Sequence, residues 1–241
     1  MDKNKLAIAT ISWARDAREE QVLRASLEIL ASLQLPVFIT DGGSGPSFVA
    51  FLNSIPHFTV LTTAGKGVWA QAKNSLQAAW ASQAGHICYT EPDKGDFFLR
   101  AMPHFLEAAP GQNQAGVLLA SRSETAFATF PAFQQSTETA INRCCAELIG
   151  PEVDYTYGPF LLRQELVPYL DLIQEDIGWG WRPFTFGLVH RLGLPVAAWE
   201  GDFACPSDQR VDDPGERLYR IRQLHQNIQG LLLSTTIGLN R

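Results

Sequence analysis

The chain has 241 residues, 46% of them apolar, and a formal net charge of −6. That apolar share is enough for a sizeable core and argues against global disorder. An acidic balance argues against a general nucleic-acid-binding surface, which needs clustered Lys and Arg. No apolar run reaches the roughly eighteen residues of a membrane span.

The opening MDKNKLAIATISW reads as a first strand rather than a signal peptide. Cys88, Cys144, Cys145 and Cys205 form no CxxC pair or Cys/His cluster. They are expected to be reduced, mostly buried thiols of a cytoplasmic protein.

Leu6–Ser12 is apolar between polar ends, as a strand should be. Ala17–Leu33 carries Val22, Leu23, Leu27, Leu30 and Leu33 at helical spacing. Leu35–Thr40 is a second buried strand ending in Asp41-Gly42-Gly43-Ser44-Gly45. A short helix is expected over Ser47–Ser54, a strand over Phe58–Thr62, and a turn at Gly65-Lys66-Gly67. In Val68–Ser82 the residues Val68, Ala72, Leu76, Ala79 and Trp80 mark one helical face. His86–Thr90 is a buried strand running into Glu91-Pro92-Asp93.

Further on, the pattern predicts a helix over Phe97–Ala109 broken at Pro103, with Asp96 as its cap. A strand is expected at Gly116–Ser121 and a helix at Gln134–Ile149. Asp154–Leu162 is strand-like but interrupted by Gly158-Pro159. A helix through Val167–Leu170 precedes a Gly- and Trp-rich loop. A helix at Pro183–Leu192, a strand at Pro195–Trp199 and a closing helix at Pro214–Leu233 complete the chain. Strands alternating with helices over short loops predict an α/β fold with a mostly parallel central sheet and helices on both faces. One continuous domain is expected, in two halves at 1–96 and 97–241.

Asp41–Gly45, Gly65–Gly67 and Glu91–Asp93 all follow strands. In a parallel sheet they would line one edge, where such sheets bind ligands. Asp41 there can accept the imide N–H of a uracil or a comparable base edge. Gly42 and Gly43 let a flat base approach the backbone, and Lys66 can face phosphate. Two carboxylates one residue apart suit a hard divalent cation that also holds a diphosphate. Each motif has a plainer reading. Asp41 is also good turn chemistry before glycines, Lys66 a solvated turn lysine, and Glu91-Pro92-Asp93 an ordinary turn.

This order of parts resembles the GT-A fold nucleotide-diphosphosugar glycosyltransferases of the family 2 type. Asp41-Gly42-Gly43-Ser44, Gly65-Lys66-Gly67 with Ala78-Ala79, and Glu91-Pro92-Asp93 carry the resemblance. Glu175-Asp176 with Trp181-Arg182, Gly187 and Gly193 extends it to roughly residues 5–200. It implies a metal-dependent glycosyltransferase that takes a sugar from a nucleotide-diphosphate donor to a small soluble acceptor. Asp41 is then the base-binding acid and Lys66 a donor contact. Asp93 is then a ligand of Mn2+ or Mg2+, and Glu91 touches the metal or the ribose; Asp202 is a late metal ligand, or else a surface turn residue. Asp176 is the base that deprotonates the acceptor hydroxyl, or else a helix N-terminal acid. Trp179 and Trp181 offer an acceptor platform, or ordinary packing. Arg122 and Arg182 bind an anionic acceptor, or form ion pairs. The resemblance leaves a homodimer open.

The family's Pro-Thr-Tyr/Phe-Asn opening is absent; Ala9-Thr10-Ile11-Ser12-Trp13 stands there. Two alternatives therefore remain: a GT-A-like nucleotide-binding scaffold without turnover, and a sugar-phosphate nucleotidyltransferase. The second is disfavoured because Trp13-Ala14-Arg15 replaces a Gly-rich loop after the first strand.

Overall fold

Leu6–Ser12 is buried at all seven positions, so both faces of this strand are covered and it must lie inside a sheet. It is β1 of a computed structural model that describes residues 6–108 and 114–239. In chain order there follow α1 (Ala17–Ser32), β2 (Val37–Asp41), α2 (Pro46–Ser54), β3 (Phe58–Leu61), α3 (Gly67–Ala81), β4 (His86–Tyr89), α4 (Gly95–Arg100) and α5 (Met102–Ala108). Then come β5 (Val117–Arg122), α6 (Glu124–Phe127), α7 (Ala132–Ile149), β6 (Phe160–Arg163), α8 (Trp181–Arg191), β7 (Val196–Gly201) and α9 (Pro214–Thr236). The chain forms two compact units, Met1–Gly111 with Pro159–Tyr169, and Gln112–Gly158 with Leu170–Arg241.

In the first unit the strands lie in the order β3-β2-β1-β4-β6. β1 pairs in parallel with β2 and with β4, and β2 with β3. β6 alone of these runs antiparallel, Cys88 opposite Leu161. It is the only strand in the stretch expected over Asp154–Leu162, because Gly158-Pro159 cuts off the residues before it. In the second unit β5 and β7 pair in parallel, Val117 opposite Val196. The α/β class with mostly parallel strands is as expected.

Helix α3 corrects one detail of the sequence reading. Its buried side is Trp69, Gln71, Ala72, Ser75, Leu76 and Ala79, while Trp80 is exposed. The rotation brings Ser75 inside and Asn74 partly so, and both find partners outside the helix. Ser75 Oγ donates to the Thr10 carbonyl at 2.7 Å and lies 2.7 Å from Thr40 Oγ1. Asn74 Nδ2 donates to Thr40 Oγ1 and to the Thr62 carbonyl. Buried polar groups satisfied in this way fix α3 against β1, β2 and the end of β3 more specifically than apolar contact alone.

The helix expected over Phe97–Ala109 breaks at Ala101, not at Pro103. Pro103 is the second residue of α5, where its missing N–H costs nothing. Ala109 lies outside the described residues. Asp96 falls in the first turn of α4, whose N-cap is Lys94.

In the second unit α8 is buried at every position from Trp181 to Val189. α9 packs on it through small residues. A Cβ on Gly230 would meet the Gly180 carbonyl oxygen at 1.8 Å, and one on Gly187 the Ser234 hydroxyl at 2.1 Å. The four cysteines are free, and burial pushes the Cys145 thiol up to about 12. No helix among the described residues is long and apolar enough to cross a membrane.

The Gly180–Gly230 contact leaves no room for a methyl group. Gly230→Ala is expected to destabilise the protein by about 1–3 kcal/mol or more, read as a lowered midpoint in urea unfolding. Ala on exposed Gly45, where nothing lies within 4 Å of the added Cβ, is the control.

Candidate functional site

Parallel pairing places the ends of β1 and β2 level, with Ser12 opposite Asp41. β4 ends at Tyr89, opposite Ala9, and Thr90 continues beside β1, its N–H donating to the Ala9 carbonyl at 3.1 Å. The loops after β1, β2, β3 and β4 therefore leave one edge of the first unit's sheet. Asp41–Gly45, Gly65–Gly67 and Glu91–Asp93 are three of these loops.

Asp41 is buried and its carboxylate is fully engaged. Oδ1 accepts the Gly43 and Ser44 amides at 2.9 and 2.7 Å. Oδ2 accepts the Ser12 and Ser44 hydroxyls at 2.8 and 2.6 Å. Ser44 Oγ in turn accepts the Ala14 amide at 2.7 Å. Four donors use the roughly four acceptor positions of a carboxylate. A base N–H reaching Asp41 must replace one of the two hydroxyls, which can rotate away, rather than a fixed amide. The turn depends on Gly43, whose φ of 114° suits glycine. At Gly42 a Cβ would lie 2.9 Å from the Gln71 amide nitrogen.

Lys66 is exposed and stands at the N-cap of α3, with no side-chain cap hydrogen bond. An uncapped N-terminus of a 15-residue helix beside a lysine has the chemistry of an anion site. Glu91 is buried and Asp93 half-buried. Among the described residues no group of three or more His, Cys, Asp or Glu is placed to hold a metal ion. The Glu91-Pro92-Asp93 pair nevertheless fits a hard cation of the Mg2+ type. Such ions take one or two protein carboxylates and complete their shell with substrate phosphates and water.

The remaining predicted residues belong to the second unit. Asp176 is exposed, and its Oδ1 accepts the Gly178 amide at 2.9 Å, a turn cap that leads into the 3-10 helix Gly178–Gly180. The Trp179 indole N–H donates to Tyr219 Oη at 2.8 Å, and the Arg182 guanidinium lies 5.0 Å from the Trp179 ring centre. Asp202, just past β7, is exposed and accepts the Ser123 hydroxyl at 2.5 Å. Since Arg122 pairs with Gly201, this bond joins the ends of β5 and β7.

Three expectations need correction. Arg182 is buried, with its guanidinium against the Trp179 ring, so it is not presented to an anionic acceptor. Trp181 is fully buried, so it offers no platform to an acceptor. Arg122 is buried and its charge is spent. Nε donates to Asp154 Oδ2 at 2.5 Å, and one terminal nitrogen donates to Glu138 at 2.6 Å and to Thr156 Oγ1 at 2.9 Å. The rings of Phe127 and Phe130 lie 4.7 and 4.3 Å from its guanidinium carbon. Asn142 and the Thr156 amide complete the shell of Asp154. Glu138 and Asp154 were not singled out from sequence, since carboxylates 16 residues apart, one on a helix and one in a loop, share no periodic signal. Burial alone would raise the Asp154 carboxyl; the Arg122 charge and the hydrogen bonds outweigh it and hold it at about 2, below its ordinary 3.8.

No protein-family model matches the chain, and no curated protein matches it in sequence. Solved structures do match. Glucosyl-3-phosphoglycerate synthase from Mycobacterium tuberculosis in complex with Mn2+, UDP-glucose and phosphoglyceric acid superposes with a TM-score of 0.68 at 13% identity. The match covers 98% of this chain and 81% of that one. The same enzyme with Mn2+, UDP and glucosyl-3-phosphoglycerate matches at 0.65, again at 13% identity, over 98% and 81% of the two chains. Another structure of it matches at 0.64 with 15% identity, over 98% and 82%. At such identity the likeness is one of fold, and it is the fold that the order of motifs implied.

The buried Arg122 cluster generates a stability prediction. A carboxyl held below its unfolded value contributes stability that is fully present above that value. The contribution is lost as pH falls through the folded one. For Asp154 the window runs from about 3.8 down to about 2, and the loss there is expected to be about 2 kcal/mol. Arg122→Met leaves two buried carboxylates without their cation and is expected to cost about 3–5 kcal/mol at neutral pH. Urea denaturation across pH checks both: Asp154→Asn should flatten the acid limb of the wild-type curve.

Proposed function

We propose that this chain is a divalent-metal-dependent glycosyltransferase. It takes a sugar from a nucleoside-diphosphate sugar, uridine being the favoured base, to a hydroxyl of a small anionic acceptor. The observation that carries this reading is the fold match over 98% of the chain to an enzyme solved with Mn2+, UDP-glucose and phosphoglyceric acid. The loop chemistry after β2, β3 and β4 supports it.

In this reading Asp41 receives the base edge by exchanging a serine hydroxyl for the base N–H. Gly42 and Gly43 keep that turn low, and Lys66 meets the diphosphate. Glu91 and Asp93 hold Mn2+ or Mg2+. When bound, the metal offsets charge developing on the departing diphosphate. Asp176 takes the proton of the acceptor hydroxyl as its oxygen bonds to the anomeric carbon and the bond to diphosphate breaks. Trp179 binds the acceptor, ring face to sugar or carbon chain. The free cysteines fit a reducing cytoplasm.

A second reading is a nucleotide-binding protein of this fold without turnover. The full hydrogen-bond complement of Asp41 and the lack of a three-ligand metal cluster among the described residues favour it.

Thermal unfolding against UDP, GDP, CDP and ADP, each with manganese or chelator, separates the outcomes. A native-state ligand at a hundred times its Kd stabilises by roughly 2.7 kcal/mol. The transferase reading expects a manganese-dependent shift with UDP, abolished in Asp93→Ala. Asp176→Asn is expected to keep that shift and lower kcat with UDP-glucose and a phosphorylated acceptor by about 100-fold or more. A shift without metal and without turnover supports the binding protein, and no shift with any nucleotide sinks both.

A further inference from the structure

Helix α9 is apolar on two opposite sides. Its inner side, Asn227, Gly230, Leu231 and Ser234, is buried and seats on Gly180 and Gly187 of its own unit. On the other side stand Leu218, Ile221, Ile228 and Leu232, which are 50%, 50%, 37% and 62% exposed. Their spacing of three, seven and four residues, with His225 filling the gap, puts them in one straight stripe on a 3.6-residue helix. Isolated exposed aliphatic residues need no explanation, but a continuous stripe of them does.

The charge beside the stripe is balanced at the start of α9 and positive beyond it: Glu216 stands in the first turn, followed by Arg217, Arg220 and Arg222 with no further Asp or Glu up to Thr236. Arg217 pairs with Asp212 at 2.8 Å and Arg220 with Glu216 at 2.8 Å. Arg222 flanks the stripe and is exposed, as is His225 within it.

We propose that this outward stripe docks the protein onto an anionic lipid surface, with α9 lying in the plane of the headgroups. A second copy is the poorer occupant. From Leu218 to Leu232 the stripe is about 21 Å long. At about 10 Å wide it presents about 200 Å², against about 800 Å² per partner in a stable interface. A lipid surface needs no such area. Aliphatic side chains enter the headgroup boundary to a depth of about 5–10 Å, and a flanking arginine draws acidic lipid. Acidic groups farther away than the Debye length of about 8–10 Å are screened. α9 is also not apolar enough to cross a bilayer, so it lies on the surface.

Sedimentation of the full chain with vesicles tests this. The wild type should pellet with phosphatidylcholine vesicles containing phosphatidylglycerol, less with phosphatidylcholine alone, and less at high salt. Ile221→Asp combined with Ile228→Asp should lower the vesicle partition coefficient by about tenfold or more, with the melting temperature near that of the wild type. Arg222→Glu, exposed and away from the packed side, should lower binding to acidic vesicles alone and serves if the double variant does not fold. The proposal fails if the wild type stays in the supernatant with acidic vesicles, or if the variants pellet undiminished. It also fails if ultracentrifugation shows a wild-type dimer that the double variant breaks, which would give the stripe to a second copy.

Discussion

At the edge of the first unit's sheet where the loops after β1 to β4 leave, one carboxylate holds the first two loops in place. Asp41 ends β2, and its four hydrogen bonds reach two amides of its own turn and two hydroxyls, one from β1. Ser44 passes the connection on to the Ala14 amide. The loop after β1 and the loop after β2 are thereby one object. Deeper in, Thr10, Thr40 and Ser75 tie the same strands to α3, and Thr10 Oγ1 donates to the Thr90 carbonyl at 2.7 Å, next to Glu91. Any ligand gripping this edge meets a preorganised surface, which lowers the ordering cost of binding.

The second unit solves the same problem with charge. Arg122 ends β5 as Asp41 ends β2, but a guanidinium taken out of water needs compensation on every side. Asp154 and Glu138 supply it, and Phe127 and Phe130 wall the group off. Such a cluster adds less net stability than apolar packing of equal volume would, because desolvation of the three charges offsets much of their attraction. Its geometric effect is larger: it fixes the loop at Asp154 and helix α7 against the end of β5.

The sequence was most legible where one periodicity dominated. β1, the parallel order of the first strands and the positions of the three loops all followed from apolar runs and turn residues. The rotated face of α3 did not, because Ser75 is polar in type yet buried by partners that only the fold supplies. β6 was blurred by strand-like residues before Gly158-Pro159, and its antiparallel direction is a tertiary choice with no local mark. The acceptor roles of Trp181 and Arg122 rested on residue type alone. Both side chains suit a binding surface and a core equally well, and burial decides between them. Helix α9 hid its packed side because close helix contact is made with glycine and serine, which a search for apolar residues passes over.

The same reasoning bears on the metal. A search for three clustered ligands finds none among the described residues, and for a structural zinc that would end the matter. A cation that must leave with diphosphate obeys a different rule. If the protein supplied most of its ligands, the metal would bind equally well before and after sugar transfer and would retain the product. If Glu91 and Asp93 hold the proposed cation, a loop that provides one or two carboxylates would leave the shell to be completed by the diphosphate. In the proposed reading metal and nucleotide would then bind together, and a sparse ligand set is what such coupling requires.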